Sequence, residues 1–192
     1  MKAALLIIIA LVLLGFLAGC NYDNPASPDS GIQSLDNTVQ TNNPETLIDP
    51  DLRPLLRSNN ARIGTVNIYN TQDSIYVKFV MAQGYRLTKI KMHASLGVWS
   101  FPLTSNCPNL AAFRFQINSL PANTTSYIHK FPIATLGTYS RNMFGAIYVE
   151  TETLANEPDC ITAWAAGPKF PGCSGEGMHF MHQVQYIQQP KE

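Results

Sequence analysis

The sequence predicts an all-β domain, a single antiparallel β-sandwich of Ig-like or jelly-roll-like type. Two observations carry this. Past residue 61 the chain breaks into short apolar/polar alternating runs punctuated by turn residues, and no segment there sustains a helical period. Regularly spaced short strands of this kind pack as two facing sheets or as a barrel. The first run, residues 63–69, places Val66 and Ile68 on one face; a polar loop, Asn70-Thr71-Gln72-Asp73-Ser74, follows. Residues 75–81 then return, with Ile75, Val77 and Phe79 alternating against Tyr76, Lys78 and Val80. Further strands are predicted at 87–94, 112–117, 124–131, 144–152 and 178–187.

The chain divides by composition into three parts: residues 1–19, residues 20–60 and a folding domain over 61–192. The last part suits one domain on the usual range of about 100–200 residues, large enough to bury a core without a metal or a disulfide lattice. Formal net charge is zero, unevenly spread. Between residues 21 and 60 stand Asp23, Asp29, Asp36, Glu45, Asp49 and Asp51 against Arg53 and Arg57. From residue 61 onward ten Lys/Arg face seven Asp/Glu, with no clustered basic stripe. Phosphate neutralisation needs such a cluster, so nucleic acid is excluded as the expected partner.

Lys2 followed by an unbroken apolar run over 3–16 reads as a signal peptide: the run is shorter than the roughly 20 residues of a membrane span. It ends in Leu17-Ala18-Gly19-Cys20, which resembles the lipobox of bacterial lipoprotein precursors. The resemblance implies cleavage before Cys20, a diacylglycerol group on its thiol and attachment to a membrane through acyl chains, of which two or more hold firmly. Asn21 stands where an Asp would favour the inner membrane, so the resemblance leans towards the outer membrane in a cell that has one. Residues 21–60, rich in Asn, Asp, Ser, Thr and Pro, have too little apolar surface to offset ordering entropy and read as a tether. A disordered tether of that length reaches about 35 Å. Within it, residues 47–56 are more apolar and are expected to dock on the domain or to form a short turn, two prolines arguing against a long helix.

Three further blocks, Gly64-Thr65-Val66 with Ile75-Tyr76-Val77, Gly84-Tyr85-Arg86-Leu87-Thr88 with Met92-His93, and residues 162–167 with Phe170-Pro171-Gly172, resemble an uncharacterised β-rich module of secreted bacterial surface proteins. That resemblance implies the fold and no activity. Cys107, Cys160 and Cys173 depart from it. Outside the cytoplasm they are expected to give one bridge and one leftover thiol. Cys160–Cys173 closes the shortest loop and is the favoured pairing; Cys107–Cys160 and Cys107–Cys173 are the alternatives.

Chemistry is sparse. Glu150 and Glu152 share one face of a predicted strand, near the separation of about 5–5.5 Å at which retaining glycosidases hold two carboxylates; a solvated strand end is the competing reading. His179 and His182, three apart in a strand, fall on opposite faces and do not converge on a metal. His93 and His129 are isolated. No metal or cofactor is expected, and no nucleophile elbow or zinc-protease motif is present. Trp99, Trp164 and Tyr85 are the expected contact residues for a glycan or an envelope protein, since aromatics combine a large apolar face with a polar handle. Trp164, among Ala163, Ala165, Ala166 and Gly167, equally suits packing against backbone, and the glycine–proline pairs after it predict a loop there. The expected function is a lipid-anchored envelope protein with a binding or structural module. The alternative is a carbohydrate-active enzyme using Glu150 and Glu152.

Overall fold

The computed structural model describes residues 51–137, 142–155 and 158–185. The leader, Cys20, the tether up to residue 50 and the end of the last predicted strand lie outside the described residues. The strands are β1 (Asp51–Leu56), β2 (Arg62–Asn70), β3 (Ser74–Met81), β4 (Tyr85–Ser95), β5 (Leu103–Thr104) and β6 (Cys107–Pro108). They continue with β7 (Phe115–Ile117), β8 (Ser126–Pro132), β9 (Asn142–Thr153), β10 (Cys160–Ala165) and β11 (Phe180–Gln183). The only helical pieces among the described residues are single 3-10 turns, so the predicted all-β class is what the chain adopts.

Apolar alternation builds the strands. In β2 and β3, Val66, Ile68, Ile75, Val77 and Phe79 are buried, while the intervening residues face out. The β2–β3 turn is closed by Thr71, whose Oγ1 accepts from the Ser74 amide at 3.2 Å. Every ladder among the described residues is antiparallel: nine strands pair in the order β7-β4-β9-β10-β1-β2-β3-β8, with β11 also paired to β9, and β5 and β6 form a separate two-stranded hairpin. One continuous sheet therefore stands where two separately paired sheets were expected. Its two end strands meet through side chains: Phe115 of β7 stacks on Phe131 of β8 with ring centroids 4.6 Å apart. The sheet is curled around a main core that draws residues from β1 to β4 and from β8 to β11.

The continuity comes from β1, which composition had assigned to the tether. It pairs along its length with β2, from Asp51↔Ile68 to Leu56↔Arg62, and with β10 through Leu55↔Ala165 and Leu56↔Trp164. Pro54, which lacks an amide hydrogen, still serves, because its carbonyl accepts from the Ala166 amide at 2.9 Å. The β10–β1 ladder is thus the narrowest link in the path. The second correction concerns the segment around Trp164. It is strand β10, paired with β9 from Cys160↔Glu152 to Trp164↔Tyr148; the loop begins only after Ala165.

That loop, residues 166–179, leaves the sheet and returns. Its base is pinched where Gly167 meets His179: a Cβ on Gly167 would lie 1.9 Å from the His179 carbonyl oxygen. The chain then continues as β11 along the same edge of β9 that β10 occupies, pairing Phe180 with Gly145. Gly145 is required there, since a Cβ would lie 2.4 Å from the buried Phe180 ring.

Candidate functional site

The outer face of β4, β9 and β10 divides into an apolar end and a charged end. At the apolar end two loops cover the sheet. The β4–β7 connection sends Phe101 and Phe113 inward, the 166–179 loop sends Phe170, and these rings pack on Trp164, Ala146 and Tyr148 as a second core. Phe101 meets Phe170 edge-on at 5.1 Å, and Trp164 meets Tyr148 edge-on at 5.3 Å. Trp164 is 7% exposed, so the binding reading for this residue is corrected: small neighbours in β10 let its ring lie under the loop layer. Tyr85 is half-buried and packs against the main core.

A disulfide fastens the two covering loops to each other. It joins Cys107, in the β5–β6 hairpin, to Cys173, so the expected Cys160–Cys173 bridge is corrected to one of the alternatives. The reason is β10 itself. A strand rises about 3.3 Å per residue, so β10 carries Cys160 to the end of the sheet opposite the loop that holds Cys173. Cys107 is therefore not the leftover thiol, and among the described residues no cysteine is free.

Trp99 lies in the same loop layer and points the other way. It sits at the crest of the 3-10 turn Val98–Ser100 and is 94% exposed. The turn is fixed on both flanks: the Ser95 hydroxyl donates to the Gly97 carbonyl at 2.8 Å, and Phe101, two residues on, is buried in the second core. A large aromatic held out in water on a braced turn is the form in which proteins present a contact residue, because its surface is available without reorganisation.

At the charged end, Glu150 and Glu152 do share the outer face of β9. Lys89 of β4 pairs with Glu150 at 3.0 Å, and Arg86 pairs with Glu152. Thr88 adds a hydroxyl bond to the Glu150 carbonyl at 2.9 Å. The carboxylates form rungs of an ion-pair ladder across β4 and β9 at the site of the β4 bulge between Leu87 and Lys89.

Sequence reasoning missed a third cluster, at the seam between β1 and β11. These strands run side by side with side chains in place of a backbone ladder. Arg53 reaches across: its guanidinium donates to Asp51 Oδ2 at 2.8 and 3.1 Å, to the Ala166 carbonyl at 3.2 Å and to the Met181 carbonyl at 2.9 Å. It also lies 4.7 Å over the Phe180 ring. His182 of β11 is 5% exposed, with Nδ1 3.6 Å from Asp51 Oδ2 and no hydrogen bond to either ring nitrogen. Asp51, Arg53, Met181, His182, Gln183 and Gln185 line an open depression of about 250 Å³ there. The available signal was the spacing of Asp51 and Arg53, which puts both on one face of a strand, but only once that segment is read as a strand. Among the described residues no three His, Cys, Asp or Glu side chains converge as a metal site.

The four histidines share one property. Burial is the leading cause that lowers the pKa of each of His93, His129, His179 and His182 below the ordinary value; at His182 the Asp51 carboxylate opposes it and Arg53 adds to it. A histidine lowered on folding binds a proton less readily in the native than in the unfolded chain. Stability is therefore full above the unfolded value of about 6.5 and is lost as pH falls through the window below it. The urea midpoint is expected to be lower at pH 5 than at pH 7.5, and His182→Asn is expected to flatten part of that dependence. A midpoint independent of pH across this window would refute the assignment.

A scan against models of known families, a search of curated proteins and a search of solved structures each found no match to this chain.

Proposed function

We propose that this chain is a lipid-anchored cell-envelope protein whose β domain is a binding module, with Trp99 as its contact residue. The observation that carries the reading is the 94% exposure of Trp99 on a turn braced by the second core. Folding gains about 25 cal/mol per Å² of apolar surface removed from water, and the same loop buries two phenylalanines, Phe101 and Phe113. Leaving the indole outside forgoes that gain, which makes sense where the ring meets a partner. Loops braced by a rigid scaffold are where binding residues concentrate. The address comes from Leu17-Ala18-Gly19-Cys20 at the end of an apolar run of signal-peptide length. The residue after Cys20, Asn21, favours the outer membrane where one exists.

The anchor is tested by metabolic labelling. Cys20→Ser is expected to abolish palmitate incorporation and to leave an unprocessed precursor; labelling that persists in the variant overturns the reading.

A further inference from the structure

We infer that the partner of the Trp99 crest is a phospholipid surface, with the indole seated at headgroup level and Leu96 and Leu103 exposed in the same loop. This deepens the binding reading above and rests on it. Trp99 is 94% exposed, Leu96 37% and Leu103 42%. Residues 94–113, the stretch that contains all three, hold no Asp, Glu, Lys, Arg or His; the flanking positions are His93 and Arg114.

That absence of charge separates a bilayer from the other candidate partners. A group entering the interface sheds water, and a charged side chain resists this strongly. A loop without charges meets no such penalty, and tryptophan is the side chain whose amphipathic ring settles at the membrane–water boundary. The Asn109 side chain accepts from the Ala111 amide and the Ser95 hydroxyl donates to the Gly97 carbonyl, so both brace turns of the loop itself. The crest is also stiff. Ser100 and Phe101 amides donate to the carbonyls of Gly97 and Val98 at 3.1 and 3.3 Å, and the Cys107–Cys173 bond fastens the far half of the loop. The ring can therefore insert without ordering a segment first. An acyl anchor would hold the crest near the bilayer at high effective concentration, so that a shallow insertion suffices.

The test uses the full-length chain reconstituted on phosphatidylethanolamine/phosphatidylglycerol vesicles, with and without brominated phospholipid. The sequence has two tryptophans, and Trp164 is buried, so Trp99 carries the solvent-sensitive emission. The expected result is a blue shift of that emission and its quenching by brominated lipid. Both should be lost in W99F. In L96S/L103S, which keeps the reporting ring, quenching should weaken. Emission that stays as accessible to aqueous acrylamide with vesicles as without them overturns the inference. So does a chain that fails to float with the vesicles, or an equal blue shift from soluble peptidoglycan fragments in vesicle-free buffer. Palmitate labelling reports on the anchor separately: a labelled, floating chain with unquenched Trp99 refutes the membrane contact and leaves the anchor standing.

Discussion

Replacing Cys107 and Cys173 together with serine is expected to lower the stability of the domain by about 4 kcal/mol. The bond closes a loop of 66 residues, and the chain-entropy relation gives a stabilisation of about that size for such a loop, with native disulfides delivering about 2–5 kcal/mol in practice. The effect should reach beyond entropy. The β5–β6 hairpin has two paired positions, too few to persist alone, and its turn residue Asn106 lies against Gly172, next to the bonded Cys173. Substitution is a cleaner probe than a reducing agent, because it leaves Cys160 untouched. Urea denaturation of the double variant reads the change directly. A loss below about 1 kcal/mol would mean that the loops stay docked through Phe101, Phe113 and Phe170 alone, and would remove the disulfide from the account of the braced crest.

The second large effect is expected at Arg53. Its guanidinium supplies four hydrogen bonds, two to Asp51 and one each to the carbonyls of Ala166 and Met181, and covers Phe180. Arg53→Met keeps much of the apolar stem and removes every donor. Asp51 is then left beside buried His182 with no cation, and two carbonyls lose their bond. Removing one partner of a buried pair costs about 3–5 kcal/mol, and an orphaned buried acceptor about 1–3. The seam is partly open to solvent, so a loss of about 2–4 kcal/mol is expected. Arg53→Lys should recover only part of it, since an ammonium group lacks the planar fork that reaches two strands at once. The Asp51→Asn, Arg53→Met double variant should be less destabilised than the sum of the two single changes. Simple additivity would show that Arg53 acts through the carbonyls and not through Asp51.

Much of the sheet is legible from alternation. β2, β3, β4 and β9 bury a continuous inner row, and their predicted positions stand. What alternation does not show is pairing supplied from far along the chain. β1 is short, contains a proline and two charged residues, and looks like tether; it is a strand because β2 lies on one edge and residues 164–166 on the other. β10 has small residues where an apolar run would be looked for, because Ala163 and Ala165 face a crowded core while Trp164 fills the second one. The disulfide follows from the same gap in knowledge. The shortest loop favours Cys160–Cys173, and only an extended β10 shows that Cys160 is carried off. At the candidate site, the sequence named Trp99 and Trp164 alike. Nothing local separates a ring that ends under a loop layer from one that ends above it.

The place of β1 in the middle of the sheet sets an order of assembly. Its first partner, β2, follows it within a few residues, so one edge is satisfied as soon as the chain emerges N-terminus first. The other edge is completed by residues 164–166 and by the side-chain seam to residues 181–182, more than 100 positions later in sequence. Until those residues arrive, one edge of β1 presents unpaired amide and carbonyl groups, and the curled sheet cannot be completed. Folding to the native state therefore waits for residues 164–183. The early strands can pair with one another, but the sheet closes into its native path only when the two C-terminal strands take their places.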